Sequence, residues 1–372
     1  LELANIKTHT VLINHCRINS SQLSLLNRPN TSVLPAFFTP FREIKHLARL
    51  LYAAISLPKC SLASTNIRFY RLAKVAQFSS RAIGDYRIGK MLAKNIEIMK
   101  PSIVIHTFEG HGWEKIATAS AHSLPIKAHV IAYQHAILSP GKKSIYYDHG
   151  GETAPDQVFT TGEYTRRELE KNATFLQGQI SVLGSAKQEK TQRGSRFKPN
   201  RECLFAPEGT IDELRLMTKV AVDCAKLYPE ITFNLRLHPV INTEQAAKVI
   251  SEVIPLPSNF TISTRSLDND LKASSWVCFR GSTVALQGIA AGLRPIYIDT
   301  DDTVAQNNPI PKSVAFQRVA KNATEVGRIL HQDQKHPELA EIELPQAAKF
   351  VKEYFQPMEP ITIIDHIKRS LK

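Results

Sequence analysis

The chain has 372 residues, enough for two domains of ordinary size, and its 43% hydrophobic and 22% charged residues mark a globular protein and exclude a disordered or fibrous one. Lysine and arginine outnumber the acids 47 to 34, a formal net charge of +13. That surplus favours an anionic partner such as a nucleotide, a polyanion or the inner face of a membrane, while the lack of aromatic-interleaved basic motifs argues against nucleic acid.

Short apolar strands alternate with amphipathic helices, the pattern of parallel α/β units. Strands are predicted at "TVLINHC" (Thr10), "SVLPAFF" (Ser32), "SIVIHTF" (Ser102), "AHVIAY" (Ala128), "QVFTTG" (Gln157) and "ISVLG" (Ile180), with helices between several of them, including "FREIKHLARLLYAA" (Phe41) and "WEKIATASAH" (Trp113). Ser185 to Glu202, "SAKQEKTQRGSRFKPNRE", is hydrophilic, aperiodic and turn-rich, so it reads as a boundary. A second α/β series follows: strands "CLFAP", "ITFNLRL", "FTIS", "WVCFR" and "RPIYID", and helices beginning near Ile211, Glu244, Thr283 and Ala323. The expected division is a first α/β domain over 1–184, a linker over 185–201, a second α/β domain over 202–344 and terminal helices over 345–372, broken at Pro357 and Pro360. Cys16, Cys60, Cys203, Cys224 and Cys278 form no Cys-x-x-Cys pair, which predicts reduced thiols rather than disulfides or a zinc site. No apolar run is long enough to cross a bilayer and no signal-peptide pattern is visible, so a cytoplasmic location is expected; the sequence opens on Leu1 rather than Met and leaves the position of the true start open.

Open α/β sheets bind ligands outside the carboxyl ends of their strands. The residues there carry the functional reading. In "SIVIHTFEGHGWEK" a strand ends on Glu109, Gly110, His111 and Gly112; Glu109 at the lip of a cleft is placed to take a proton from an attacking hydroxyl, or serves only as an acid at a helix start. "VIAYQHAIL" ends on Gln134 and His135, and "YYDHGG" places Asp148 and His149 in a glycine-bearing loop. In "LFAPEGTIDEL" Glu208 and Gly209 lie in the loop after a strand, with Asp212 and Glu213 in the following helical turn. "LRLHP" puts Arg236 and His238 on one strand face and stops at Pro239, which holds His238 extended. A charge at that depth needs a partner from the protein or from a ligand. In "CFRGSTVALQGIAAG" Arg280, Gly281, Ser282 and Thr283 stand where a helix begins, as a cap or as an anion site. No Gly-x-Gly-x-x-Gly or Gly-Lys-Ser motif supports NAD or P-loop chemistry, and the histidines lack metal-ligand spacing, so no metal is expected.

Taken in order, "FEGHGWEK", "AYQHA", "APEGTIDE", "LRLHP" and the later Ser-Thr motif resemble the bacterial CMP-sugar glycosyltransferases of the GT-B fold, among them sialyltransferases, polysialyltransferases and Kdo transferases, and related surface-carbohydrate proteins. The resemblance spans roughly residues 100–300. It implies two Rossmann-like domains facing across a cleft, with C-terminal helices closing back on the first. Glu109 becomes the general base with His111 and Asp148 beside it. Glu208, Gly209, Arg236, His238, Pro239, Arg280, Gly281, Ser282 and Thr283 become the donor-binding set, and Gln134 and His135 support the acceptor. Sialyltransferases often carry two acids before the glycine, whereas Phe108 precedes Glu109 here. A configuration-retaining course would need a carboxylate nucleophile, with Asp148, Asp212 or Glu109 as candidates. No cofactor is implied beyond a CMP-sugar donor, and the acceptor is a glycan or lipid-linked glycan. An NDP-sugar or CDP-glycerol transferase and a non-catalytic nucleotide-sugar-binding subunit are the alternatives. "PFREIKHLARLLYAAI" reads as a basic amphipathic helix whose apolar face either meets the core or rests on anionic lipid at the inner membrane.

Overall fold

The computed structural model describes residues 6–13, 30–35, 38–56, 71–138, 143–147, 150–187, 202–300, 308–311, 314 and 316–371. In the first lobe β1 (Thr10–Ile13) and β2 (Thr31–Leu34) pair in parallel, followed by helices α1 (Pro40–Ser56) and α2 (Ser80–Met99). A four-stranded parallel sheet comes next, with the order β3 (Ile103–Thr107), β4 (His129–Gln134), β5 (Gln157–Thr160) and β6 (Ile180–Val182), joined by α3 (Gly112–His122) and α4 (Glu163–Asn172). The run of apolar residues in β4 follows from burial on both faces. Val130 packs with Ile96, Ala117 and Ala121 of α2 and α3, while its neighbour Ile131 points the other way, towards Phe159, Leu183 and Ile367.

The second lobe is a six-stranded parallel sheet of β7 (Glu202–Ala206), β8 (Thr232–Leu235), β9 (Phe260–Ile262), β10 (Trp276–Phe279), β11 (Arg294–Ile298) and β12 (Arg318–Ala320). It is wound by α5 (Ile211–Leu227), α6 (Thr243–Ser251), α7 (Leu267–Ala273), α8 (Val284–Ala290) and α9 (Ala323–Lys335). The strand order is β12-β11-β10-β7-β8-β9, so the winding reverses between β7 and β10. Side-chain alternation places Cys203, Phe205, Phe233, Leu235, Trp276 and Cys278 in one core against α5 and α9. Cys203, Cys224 and Cys278 are buried free thiols, as expected; Cys16 and Cys60 lie outside the described residues. β12 escaped the sequence reading because three residues carry no measurable alternation.

The chain then returns. Helix α10 runs from Pro337 to Tyr354, so it starts before the expected residue 345 and holds Pro345 inside it, while the expected break at Pro357 and Pro360 falls between it and the last helix. It packs on α8 of the second lobe and on α4 of the first. The segment after it is stitched to the ends of β5 and β6 by main-chain bonds: Gln356 N–H to Thr161 O at 2.9 Å, Ser185 N–H to Gln356 O at 2.8 Å and Glu359 N–H to Leu183 O at 2.9 Å. Helix α11 (Pro360–Ser370) lays Ile363 and Ile367 on the first sheet, and the ring nitrogens of His366 and His129 meet at 2.9 Å. The C-terminal helices therefore close on the first lobe.

Two glycines make the seam possible. A Cβ on Gly162 would strike the carbonyls of Glu353 and Tyr354, and one on Gly184, whose φ is +89°, would run into the carbonyl of Pro357. Both the left-handed backbone and the close approach require glycine at 184. Gly184→Val should cost about 3 kcal/mol from overpacking and φ strain together, and should open the segment around residue 357 to protease; urea unfolding and limited proteolysis check this, and unchanged values of both would refute the seam.

Candidate functional site

The turn that leaves β3 is built around one buried carboxylate. Glu114, in the first turn of α3, accepts the backbone N–H groups of Glu109 (3.0 Å), Gly110 (2.9 Å) and His111 (3.0 Å) and the hydroxyl of Thr107 (2.7 Å). Burial pushes its carboxyl above the ordinary range, against the pull of these donors. Gly110 has φ +80°, and a Cβ there would collide with Ser144 and approach the backbone of Ile145 at 2.9 Å. Glu114 is thus the organiser of the turn, a role the sequence hints at only through its place three residues after His111.

Held this way, Glu109 points its carboxylate between two imidazoles: Nε2 of His135 lies 3.1 Å from Oε1 and Nε2 of His111 lies 3.7 Å from Oε2. The Glu109 carboxylate raises the pKa of His111 above the ordinary imidazole value. The three side chains are partly exposed, at 22% for Glu109, 32% for His111 and 37% for His135. Gln134, at the end of β4, is buried; its amide donates to the carbonyl of Ala136. Lys187, just past β6, also feels the Glu109 charge, while burial lowers its pKa, and its ammonium lies over the Phe355 ring at 5.9 Å. Sequence reading missed Lys187 because it falls in a polar stretch that looks like linker. Asp148 and His149 lie outside the described residues.

In the second lobe, the loops after β7 and β10 emerge on either side of the point where the winding reverses, the place where such sheets bind ligands. Glu208 and Gly209 follow β7, and the backbone of Gly209 passes so close to His238 that an added Cβ would sit 2.9 Å from Nδ1. The Val240 N–H reaches Nδ1 of His238 at 3.3 Å, which leaves Nε2 as the proton-bearing nitrogen. Burial lowers the pKa of His238 and the Glu208 charge opposes that shift. So Glu208, Gly209 and His238 do come together.

The two arginines differ from expectation. β8 ends at Leu235, and Arg236 turns to Asp270 (2.7 Å) and the carbonyl of Arg265 (2.8 Å). Asp270 is fully buried and also takes Arg265 and Ser263, so the partner demanded by the charge on Arg236 is inside the protein. Arg280 is buried as well. It pairs with Glu213 at 2.9 Å and donates to the carbonyl of Ile298 at 2.8 Å. Burial drives Glu213 up to about 7, outweighing Arg280, with Glu208 adding to the rise. The Ser282 hydroxyl accepts the Val284 N–H at 3.3 Å, and Thr283 makes no side-chain cap. Helix α8 is a seven-residue piece, so its start is a weaker anion site than the sequence suggests. Gly281 and Pro239 flank these groups without a polar side chain to contribute.

No known protein family pattern matches the sequence, and no curated protein sequence is recognisably similar. Solved structures do share the fold. UDP-GlcNAc 2-epimerase from Neisseria meningitidis bound to UDP-GlcNAc aligns over 94% of this chain and 99% of its own, at 12% identity and a TM-score of 0.54. The S. aureus MnaA–UDP co-structure aligns over 98% and 97%, at 12% identity and a TM-score of 0.58. CalG4, the calicheamicin glycosyltransferase, aligns over 98% and 99%, at 10% identity and a TM-score of 0.53. At such identities the likeness is one of architecture: two Rossmann-like domains in the GT-B arrangement.

Glu114→Ala would strand the turn's donors and should cost about 3 kcal/mol, read by urea unfolding; a loss within 0.5 kcal/mol, the ordinary scatter of surface substitutions at about that size, would remove Glu114 from its organising place. For Glu213 the folded pKa lies above the ordinary 4.5, so its contribution to stability is fully present below about pH 4.5 and fades as pH climbs towards 7. Glu213→Gln should flatten that slope in unfolding measured at pH 5 to 8; parallel curves for both proteins would contradict the shift.

Proposed function

We propose that the chain is a metal-independent glycosyltransferase of the GT-B fold. In this reading it moves a sugar, a 2-keto acid sugar such as Kdo or sialic acid, from a CMP donor to a surface polysaccharide or lipopolysaccharide precursor. The observation that carries the reading is Glu109, a carboxylate fixed at the carboxyl edge of the first sheet between His135 and His111. Such a group accepts the proton of an acceptor hydroxyl as its oxygen attacks the anomeric carbon, while the bond from that carbon to the donor phosphate breaks and CMP leaves. His135 steadies the carboxylate and His111 shares its charge.

The departing phosphate gains negative charge, and stabilising that charge is the task of the second lobe. His238, whose Nε2 carries the proton, donates to the phosphate. Glu208 takes a ribose hydroxyl, with Gly209 giving the backbone room to approach. Ser282 and Thr283 offer hydroxyls near the phosphate. Arg236 and Arg280 act indirectly, by holding Asp270 and Glu213. Asp148 completes the catalytic set in this reading, and Gln134 lines the acceptor side.

A second reading keeps the fold and changes the nucleotide. Two solved neighbours hold UDP-GlcNAc and UDP, which favours a UDP-sugar as donor. Calorimetry with CMP, UMP, UDP and UDP-GlcNAc separates the two: CMP binding tightest supports the first reading, UDP or UDP-GlcNAc binding tightest supports the second, and binding of none ends both. Glu109→Gln should reduce turnover by about 10²–10⁴ with nucleotide affinity retained; undiminished turnover would take Glu109 out of the mechanism. His238→Ala should weaken nucleotide binding by about tenfold or more, and an unchanged affinity would count against its phosphate contact.

A further inference from the structure

Helix α1 has three faces rather than two. At 100° per residue, His46, Leu50 and Ala54 share a sector that is buried. That sector is pinned to α2: the His46 ring stacks on Tyr86 with centroids 4.6 Å apart, and Glu43 pairs with Arg87 at 2.8 Å. The larger apolar side chains lie on a second sector and face outward. Phe41 is 77% exposed, Tyr52 73% and Ile44 67%, and Leu47, Leu51 and Ile55 are exposed beside them. The third sector carries Arg42, Lys45 and Arg49, all exposed. Glu43, the helix's one acid, is on the buried side and neutralised by Arg87. The helix buries one leucine, one histidine and one alanine and shows six large apolar side chains, an exposed apolar face of the kind that marks an interaction surface.

We propose that this outward face of α1 is a docking surface for an anionic lipid bilayer, with Phe41, Ile44, Leu51, Tyr52 and Ile55 entering the acyl boundary and Arg42, Lys45 and Arg49 meeting the headgroups. Charge complementarity selects this occupant. An apolar sector flanked by exposed cations fits an anionic interface, and the chain as a whole carries +13. A second copy of the chain would bring the same cations and the same net charge against them. No described helix is long and apolar enough to cross a membrane, so the contact is one of lying on the surface. The proposal rests on this surface alone and stands apart from the transferase reading.

The test is flotation of the full chain with vesicles of phosphatidylcholine, alone or mixed with phosphatidylglycerol, at low and high salt. The protein should float with the mixed vesicles and much less with phosphatidylcholine alone. The Arg42→Gln, Lys45→Gln, Arg49→Gln triple should lose on the order of 100-fold in binding to mixed vesicles, since each cation near an anionic surface is worth about fivefold. The Ile44→Ser, Leu51→Ser, Ile55→Ser triple should lose binding to both vesicle types while its unfolding midpoint stays near that of the wild type, because these side chains are exposed. Wild-type protein that floats with neither vesicle, or binding that neither triple reduces, would overturn the proposal. So would a lipid-free dimer in sedimentation that the apolar triple abolishes, which would assign the face to a second copy.

Discussion

The architecture depends on a main-chain seam. Residues 354–359 run along the ends of β5 and β6, and hydrogen bonds from Gln356, Ser185 and Glu359 tie the segment down at both sides. Main-chain donors and acceptors buried without partners are costly, so a seam of this kind is held in one register. Gly162 and Gly184 are the positions where side chains are forbidden by contact with that passing backbone. Tyr354 adds a further stitch: its hydroxyl takes the Leu138 N–H at 2.9 Å and its carbonyl takes the Thr161 hydroxyl at 3.0 Å. Tyr164 of the first lobe and Phe279 and Tyr297 of the second pack in the same apolar cluster as Tyr354 and Phe355. The two sheets are therefore spaced by a covalently continuous, hydrogen-bonded element, and their loops inherit that spacing.

On that frame each lobe presents polar groups from the ends of its strands, by different means. In the first lobe a single internal carboxylate, Glu114, gathers the N–H groups of a turn and so aims Glu109. In the second lobe the winding reverses between β7 and β10, and ion pairs are buried among the segments that follow the strands. Asp270 with Arg236 and Arg265, and Glu213 with Arg280, satisfy charges that would otherwise be expensive to bury. His238 and Glu208 are not tied into such buried pairs, whereas the buried Ser282 hydroxyl already accepts the Val284 N–H.

Most strands were legible because two-sided burial leaves an unbroken apolar run, and "HVIAYQ" or "WVCF" admits few other readings. The turns at Glu109 and Glu208 were legible because glycine after an acid at a strand end marks close backbone approach. What the residues could not reveal was the partner of each charge. Arg236 stands in "LRLHP" as an apparent ligand contact, and its answer, Asp270, lies 34 residues away on α7. Lys187 was hidden for a related reason: only the fold brings the start of a polar connector beside Glu109. The exposed sector of α1 was ambiguous too, since periodicity reports that a helix is two-sided and says nothing about which side the rest of the protein covers.

The return of the chain has a bearing on how the molecule is made. Ile367 fills the second face of a sheet whose own strands end at Val182. A ribosome releasing the chain from its amino end finishes every part of the second lobe before it delivers the piece that completes the first. Until residues 354–367 emerge, the face formed by Ile131, Phe159 and Leu183 lacks Met358, Ile363 and Ile367 for the time it takes to translate some 180 further codons at roughly 5–20 per second, so the first lobe reaches its full packing only at the end of synthesis.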